Sequence, residues 1–401
     1  MSDSKTTQYT SSQANLWPLD PTVAMLNHGS FGACPTVVLQ AQQRYRLQME
    51  REPVRFFTRE REPLLDAARD ALGKFLGADP ADLVFVRNAT EGVNSVLRSL
   101  DFDREDELLV TDHAYNACRN VIEYVAQRNN AKVVVIKIPM PIRSPDEAVK
   151  AVLGAVTEKS RILLIDHITS STALVLPIGR IVNALAERGI DTLVDGAHAP
   201  GMVPVDLNDI GAAYYAGNCH KWMCCPKGAG FLHIRRDRQD SIHPTIISHG
   251  YNTVRPERGR LHEEFDWAGT HDPTPWLCLP DAIQFLDSLH DDGLAGLRRQ
   301  NHDLAISARR LLCDAVGAAP PCPEAMLGSM AAVALWLDEL AEKDALLNHP
   351  VHRRLVEEFA IDVPVYYWPD TPHLWIRISA QAYNSLDQYR RLADALRLLR
   401  P

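Results

Sequence analysis

Two residues with reactive side chains each follow a predicted strand, Asp195 after residues 192–194 and Lys221 after residues 212–215. A carboxylate just beyond a buried strand end is costly to place unless a cationic group lies near it. A lysine among small and apolar residues is seldom buried without a partner. Read alone, Asp195 is more simply a helix cap or a turn residue, and Lys221 a surface group. Their positions at one edge of the same sheet predict instead that they act together.

The pair suits a cofactor that contains a pyridine ring. An aspartate opposite the ring nitrogen keeps that nitrogen protonated, and the protonated ring then accepts electrons from a carbanion at the Cα of an amino acid. A lysine that forms a Schiff base needs a lowered amine pKa, which a desolvated and cation-rich site supplies. Asp195 and Lys221 therefore predict an enzyme of amino-acid chemistry.

A third element, residues 87–94, joins the predicted strand 83–86 to a helix. Free N–H groups at the start of a helix, together with the hydroxyl of Thr90, form a site suited to phosphate. The same residue types also cap helices, so Asn88 or Thr90 is equally a cap. Residues 87–94 therefore indicate a phosphate site only in combination with Asp195 and Lys221.

Short apolar runs alternate with helical patterns over the first two thirds of the chain, which predicts a mainly parallel seven-stranded sheet with helices on both faces. Such a sheet binds ligands at the carboxyl ends of its strands. The predicted strands are residues 83–86, 108–111, 133–136, 162–165, 192–194, 212–215 and 231–234. Helical patterns occupy residues 60–76, 147–156 and 178–187.

The pattern changes near Pro280, where helices at 281–290 and 294–315 precede strands at 330–337, 363–368 and 374–378 and a closing helix at 385–399. We therefore expect an α/β fold with a second, smaller α+β domain. The predicted division is an N-terminal arm and a segment packing with the small domain (1–59), a large cofactor-binding domain (60–280) and a small domain (281–401).

Composition excludes several classes of function. The 401 residues carry a net charge of −9, which argues against a nucleic-acid or anionic-membrane partner. The eight cysteines are too sparse for a disulfide scaffold, and their spacing does not fit a zinc site, so no metal is expected. The first twenty residues lack an apolar signal region, and no apolar run is long enough to span a membrane. We expect a cytoplasmic protein.

Six motifs resemble the class V aminotransferase superfamily of fold-type I pyridoxal-phosphate (PLP) enzymes. The closer likeness is to the branch of isopenicillin N epimerase and the cysteine-conjugate C–S lyases, over roughly residues 25 to 390. The motifs are Leu-Asn-His-Gly-Ser-Phe-Gly at 26–32, Ala-Thr-Glu-Gly at 89–92, Asp-His-Ile-Thr-Ser-Ser-Thr-Ala at 166–173, Asp-Gly-Ala-His at 195–198, His-Lys-Trp at 220–222 and Gly-Thr at 269–270.

The resemblance implies a role for each matching residue. Lys221 would form the Schiff base and move protons at Cα, Asp195 would pair with the pyridine nitrogen, and His198 would lie near the ring hydroxyl. His113 would stack on the ring, although a capping or structural role is the alternative. The phosphate would be held by Ala89, Thr90, Asn218 and His220, and by Thr270 of the neighbouring subunit, which would make a homodimer necessary for a complete site.

Arg377 lies on the predicted strand 374–378, flanked by apolar residues. A guanidinium fork matches a carboxylate bidentately, and the resemblance places it on the substrate α-carboxylate; the alternative is a salt bridge within the domain. Asn27, His28 and Tyr251 are candidate substrate contacts, for which a core or surface role is as well supported.

The reaction is less determined than the cofactor, because PLP labilises all three bonds at Cα. The leading hypothesis is a β-elimination that breaks the C–S bond of an S-substituted cysteine. Alternatives are epimerisation and a decarboxylating, oxidative-deaminating or aminotransferase variant. A cysteine desulfurase is disfavoured because Cys322, the late candidate nucleophile, is bracketed by stiffening prolines. A Rossmann dehydrogenase lacks its Gly-x-Gly-x-x-Gly signature, and a non-enzymatic protein of this fold would have no need to keep Lys221 and Asp195.

Overall fold

A seven-stranded sheet forms the centre of the computed structural model, which describes residues 11–253, 255–337, 349–367 and 373–400. The strands of this sheet and of two smaller sheets are, in chain order, β1 Ala24–Met25, β2 Leu83–Val86, β3 Glu107–Thr111, β4 Lys132–Ile136, β5 Ser160–Asp166, β6 Asp191–Gly196, β7 Tyr214–Asn218, β8 Gly230–Ile234, β9 Met330–Leu337, β10 Ile361–Asp362, β11 Val365–Tyr367 and β12 His373–Ser379.

Helices cover both faces of the seven-stranded sheet, and two apolar cores lie between helices and sheet. The helices are α1 His28–Phe31, α2 Thr36–Arg51, α3 Pro53–Arg55, α4 Arg61–Leu76, α5 Ala89–Ser99, α6 Asn116–Asn129, α7 Pro145–Gly154, α8 Ile178–Ala186, α9 Leu207–Ile210, α10 Arg260–Phe265, α11 Thr274–Leu277, α12 Leu279–Asp287, α13 Gly293–Val316, α14 Pro350–Phe359 and α15 Leu386–Leu399.

The large sheet has the strand order β2-β8-β7-β6-β5-β3-β4. Within it β8 runs antiparallel to both neighbours, while the pairs among β3 to β7 are parallel. Successive residues of a strand point to opposite faces, so Val84 and Val86 join one apolar core, and Leu83 and Phe85 join the other. This is the predicted α/β fold of the fold-type I class.

The strands near the proposed site extend further than the sequence indicated. β6 continues through Asp195 to Gly196, and β7 lies two to three residues later than its predicted position and ends at Asn218. Both strands are paired on both sides, so their backbone hydrogen bonds continue into the polar residues. Asp195 and Asn218 thus end neighbouring strands instead of starting loops.

The smaller sheet has the order β11-β12-β9 and is antiparallel, with α13 and α15 packed nearby. β1 pairs in parallel with β10, so the N-terminal segment is bonded to the C-terminal part of the chain. The predicted strand at 363–368 begins later, at Val365, and its final residue lies outside the described residues. The three-part division of the chain stays a prediction. None of the helices in the described ranges is both long and apolar enough to cross a bilayer.

Candidate active site

Lys221 lies in the loop after β7, and tight turns fix its backbone. Its carbonyl oxygen accepts hydrogen bonds from the N–H of Cys224 (3.1 Å) and from Nε2 of His28 (3.0 Å). Nζ lies 3.2 Å from Nε2 of His198. Burial, followed by the charge of Arg377, lowers the pKa of the lysine amine from its usual 10.5 to about 8. A substantial fraction of the amine is therefore neutral and nucleophilic near neutral pH.

Asp195 lies at the carboxyl end of β6, with both oxygens hydrogen-bonded. Oδ1 accepts from the N–H of Ala197 (3.0 Å), and Oδ2 accepts from the thiol of Cys118 (3.1 Å). Burial raises the pKa of this carboxyl, while the two donors and the charge of Lys221 oppose the rise. The residue is not the N-cap of any described α-helix, the alternative that the sequence had left open.

The start of α5 faces the same edge of the sheet. Asn88 is its N-cap, because its side chain accepts from the N–H of Glu91 (3.0 Å). The N–H of Ala89 donates to Oδ1 of Asn218 at the end of β7 (2.8 Å). Thr90 is partly exposed at the second helical position, where the N–H has no acceptor within the helix. This arrangement leaves donors available for an anion.

Three of the predicted histidines surround this edge in the neutral state. Nδ1 of His113 is 2.7 Å from Oγ1 of Thr172, and burial lowers the pKa of His113 to about 4. His198 accepts at Nδ1 from the indole N–H of Trp222 (3.4 Å), so Nε2 carries the proton shared with Lys221. His220 bonds through Nδ1 to the carbonyl of Ala229 (2.9 Å), and burial lowers its pKa to about 4.

Arg377 on β12 is a buried cation with neutral partners. Nη1 donates to the carbonyl of Ser170 (2.6 Å), and Nη2 donates to Oγ of Ser30 (3.1 Å) and Oδ1 of Asn27 (3.4 Å). Among the described residues no carboxylate lies within ion-pair distance of this guanidinium, so the intradomain salt bridge is absent there. Burial disfavours the charged form of Arg377 and so lowers the pKa of its guanidinium. A buried guanidinium without a counter-charge is a site for an anionic ligand.

Three predicted contacts occupy other places. His28 is fully buried, with Nδ1 accepting from the hydroxyl of Tyr383 (2.9 Å) and Nε2 donating to Lys221, so it supports the lysine loop. Tyr251 lies in a short 3₁₀ turn and is 62% exposed. Thr270 is exposed and lines a cavity of about 460 Å³ beside α5.

The donor set fits the cofactor that the motifs imply. The half-buried amine with its lowered pKa suits an aldehyde. The buried carboxylate at the neighbouring strand end suits a pyridine nitrogen, and the N–H groups at the helix start suit a phosphate. Lys221, Asp195 and Thr90 are the residues concerned. The backbone N–H of Ala89, which was also predicted to contact the phosphate, instead donates to Asn218. His113 offers a neutral ring.

Sequence reasoning missed four contacts within the site. The thiol of Cys118 on Asp195 had no local signal. Ser30, Ser170 and Thr172 lie inside motifs that were singled out, but their partners were not predictable from those motifs. These side chains hydrogen-bond to Asp195, His113 and Arg377.

Every cysteine of the chain is buried as a free thiol. Cys322, the late candidate nucleophile, has its carbonyl oxygen and Sγ bonded to Nη1 of Arg309 (2.8 and 3.4 Å), and burial raises its pKa to about 11. A reactive cysteine is an accessible thiolate. The structure thus supplies no thiol of the kind that a cysteine desulfurase uses.

Comparisons with known proteins identify relatives of this chain. The chain is 35% identical over 391 residues to isopenicillin N epimerase of Streptomyces clavuligerus, covering 94% of this chain and 95% of that protein. It is 32% identical over 410 residues to a putative L-cysteine desulfhydrase of Oryza sativa subsp. japonica, covering 94% and 83%. The structure of the cystine C–S lyase C-DES with its product cysteine persulfide superposes with a TM-score of 0.77 at 21% identity, covering 94% and 98%.

The family model described as aminotransferase class-V matches residues 28–317, a span that contains Lys221, Asp195, His113 and the start of α5. Arg377 lies beyond that span, but the two relatives are aligned over nearly the whole chain. The chain belongs to the class V aminotransferase family.

Proposed function

We propose that this protein is a PLP-dependent C–S β-lyase acting on an S-substituted cysteine. Membership of the class V aminotransferases implies PLP. The observation that carries the proposal is the presence of two basic groups in one buried site. They are the amine of Lys221, with its lowered pKa, and the guanidinium of Arg377, which has no acidic partner among the described residues. One suits an aldehyde and the other a carboxylate, which together describe an amino acid bound on PLP.

The cofactor would be held by residues from three strand ends. Lys221 would bind it covalently, Asp195 would meet the ring nitrogen and His113 would cover one ring face. Asn218 holds the N–H of Ala89 and so fixes the helix start at which the phosphate would bind. Bound there, PLP supplies an electron sink for the bonds at the substrate Cα.

Arg377 would hold the α-carboxylate of the substrate in a fixed direction. Its guanidinium is itself fixed by Asn27, Ser30 and Ser170, whose oxygens accept its N–H groups. Because Arg377 would hold the α-carboxylate, loss of carbon dioxide is disfavoured and reaction at the Cα–H bond is favoured. The amine of Lys221 then accepts the Cα proton.

The overall reaction is balanced by one water molecule. Lys221 removes the proton at Cα, the Cβ–S bond breaks, and the sulfur leaves with the electron pair as a thiolate that takes up a proton. The three-carbon remainder is hydrolysed to pyruvate and ammonia. No oxidant or second amino acceptor is consumed, and no cysteine of the protein is needed, which agrees with the eight buried thiols.

Epimerisation of an aminoacyl side chain is the second candidate. It is favoured by the 35% identity to an isopenicillin N epimerase over nearly the whole length of both chains. Epimerisation needs proton removal on one face of Cα and return on the other. His113 is poorly suited as the second base, because burial lowers its pKa to about 4.

The two candidates are separated by product analysis. The holoenzyme is incubated with S-alkyl cysteines, their sulfoxides and single enantiomers of other amino acids. We expect pyruvate and ammonia in equal amounts from the cysteine derivatives. Loss of optical activity without pyruvate would contradict the lyase and support the epimerase.

We also propose a homodimer with a shared site. The exposed Thr270 lines a cavity of about 460 Å³ that is also lined by Arg87, Lys227 and His271, and the first two of these are exposed as well. A neighbouring subunit would cover this region and receive Thr270 at its own phosphate site. Sedimentation of the holoenzyme should give twice the mass of the chain, and Thr270→Ala should weaken PLP binding; a monomer with full PLP affinity would contradict this.

A further inference from the structure

A second acidic residue lies beside Asp195 at the carboxyl edge of the sheet. Asp166 is the last residue of β5, and it pairs in register with Asp195 on β6, so both side chains leave the sheet on the same side. The two residues are only 4% and 3% exposed. Oδ2 of Asp166 has no hydrogen-bond partner among the described residues.

Two carboxylates this close in a buried place do not both ionise. Asp195 has a donor on each oxygen and Lys221 nearby, whereas one oxygen of Asp166 has no donor. The negative charge is therefore more stable on Asp195, and Asp166 keeps its proton. Burial and the charge of Asp195 accordingly raise the pKa of Asp166 well above its usual value.

Cys118 contacts the charged member of this pair. It lies in the first turn of α6, is almost fully buried, and places Sγ 3.1 Å from Oδ2 of Asp195. A buried free cysteine is ordinarily a small apolar residue, but this thiol is aimed at a carboxylate. Burial and Asp195 raise its pKa, so the thiol stays protonated and donates.

We propose that Cys118 and Asp166 are positioning residues for Asp195. The thiol fixes the plane of the carboxylate by donating to Oδ2, and Asp166 stays a neutral carboxylic acid, so that Asp195 carries the single negative charge that meets the ring nitrogen of the cofactor. This inference rests on the proposed function, because it assigns the two residues to the tuning of the PLP ring through Asp195.

The titratable groups that face Asp195 come from several elements, and each bears on a pH titration of the site. They are Cys118 on α6, Tyr115 before α6, Asp166 on β5, Tyr215 on β7 and Lys221 after β7. Burial raises the pKa of both tyrosines, so neither ionises near neutral pH. Lys221 changes charge near neutral pH. In the holoenzyme its nitrogen would be bonded to PLP, so its titration is the one that the visible band records.

The first experiment compares two substitutions of Cys118 in the full holoenzyme. PLP affinity and the pH midpoint of the visible band are measured for Cys118→Ser, which keeps a donor, and for Cys118→Ala, which removes it. We expect the serine variant to bind PLP within about twofold of the parent and the alanine variant about tenfold more weakly. Without the donor Asp195 becomes more basic and draws the ring proton, so the midpoint of the alanine variant should rise by about one pH unit.

A purely structural role of Cys118 gives a different pattern. A buried serine would then be at least as damaging as alanine, and both would lower thermal stability without moving the midpoint. Equal midpoints in the parent and Cys118→Ala would overturn the role given to the thiol.

The second experiment tests the charge of Asp166. Asparagine has the shape and charge of a neutral carboxylic acid, so Asp166→Asn should leave the midpoint of the band unchanged. Asp166→Ser, also neutral, is read in the same way should the first variant fold poorly. A shift of about one unit or more in either variant would show that Asp166 is ionised and overturn the inference. A parent protein without a borohydride-reducible band would contradict the proposed function as well. An intact parent band whose midpoint is unchanged in Cys118→Ala, or shifted in Asp166→Asn, contradicts the inference alone.

Discussion

Two groups of buried charges in this molecule are built in opposite ways. Between α4 and α10, Arg69 donates to both oxygens of Asp266 (2.7 and 2.8 Å), and Arg258 pairs with Asp266 and with Asp66 (3.1 Å). At the active site, Arg377 and Lys221 have hydrogen-bond partners but, among the described residues, no carboxylate within ion-pair distance.

The difference separates structural charges from functional ones. A buried ion pair that is closed on itself loses much stability when one member is removed, because the other is left uncompensated. A buried cation without a counter-charge already bears that cost, and it is compensated only when an anionic or electrophilic ligand binds. Removing charge should therefore destabilise the first cluster and stabilise the second, which is a reversal that can be measured.

The largest expected effect is on the closed cluster. Asp266→Asn leaves Arg69 and Arg258 without their shared carboxylate and should lower the free energy of unfolding by about 3–5 kcal/mol. Urea denaturation measures the change. Asp66→Asn is the matched control: its side chain is 46% exposed, so its loss should be below about 1 kcal/mol. Equal losses in the free energy of unfolding for the two substitutions would show that the burial of the carboxylate does not determine the loss.

The next effect is on catalysis. Arg377→Gln removes the carboxylate clamp and should lower kcat/KM by about 100-fold or more, equivalent to at least roughly 2.7 kcal/mol, mainly through KM. The free energy of unfolding should be unchanged or higher, because a buried uncompensated charge is lost. Pyruvate release and urea denaturation give the two readings, with the exposed Arg390→Gln as control. A large loss of stability would mean that Arg377 is a structural ion-pair residue.

The third effect tests the cost of Lys221 in the apoprotein. Its pKa is lowered from 10.5 to about 8, so the folded state disfavours the charged amine. Lys221→Met should raise the free energy of unfolding by about 2 kcal/mol at pH 7, which allows for partial exposure of the amine. Between pH 8 and 10.5 the unfolded parent binds the extra proton, so the parent gains stability and the difference should vanish as the pH rises. A constant difference over this range would contradict the lowered pKa.

The smallest effect concerns the hydrogen bonds from Tyr383 to His28 and from His28 to the carbonyl oxygen of Lys221. Tyr383→Phe removes the hydroxyl on Nδ1 of His28 and should cost about 1 kcal/mol of stability and raise the PLP dissociation constant a few-fold. Tyr389→Phe is matched, since its buried hydroxyl makes one bond to the carbonyl of Ser379 (2.7 Å). It should lose similar stability but leave PLP affinity unchanged, and a parallel fall in affinity would remove His28 from the support of the lysine.

The sequence predicted the large sheet closely because most of its strands are buried on both faces and appear as short apolar runs. The ends of β6 and β7 were misplaced because Asp195 and Asn218 look like loop residues, although their backbones remain paired with neighbouring strands. Lys221 and Arg377 were both singled out in the sequence, and in the structure the charge of Arg377 acts on the amine of Lys221, while their roles stay predictions.

The contacts that orient those residues were not predictable from local patterns. Cys118 reaches Asp195 from a different helix, and Ser30 reaches Arg377 across most of the chain. Likewise, His28 is a polar residue in a motif, and only its burial shows that it supports Lys221 and has no ring nitrogen left for a substrate. Such pairings depend on tertiary packing, which a single sequence does not specify.

We propose that PLP attaches to the amine of Lys221, whose pKa is lowered to about 8. The direct measurement is borohydride reduction of the holoenzyme followed by mass analysis of its peptides. We expect one pyridoxyl-phosphate adduct, on the peptide that carries Lys221, and none in Lys221→Ala. An adduct on Lys227, whose Nζ donates to the carbonyl of Gly32 in the same region (3.0 Å), or on no lysine at all would contradict it.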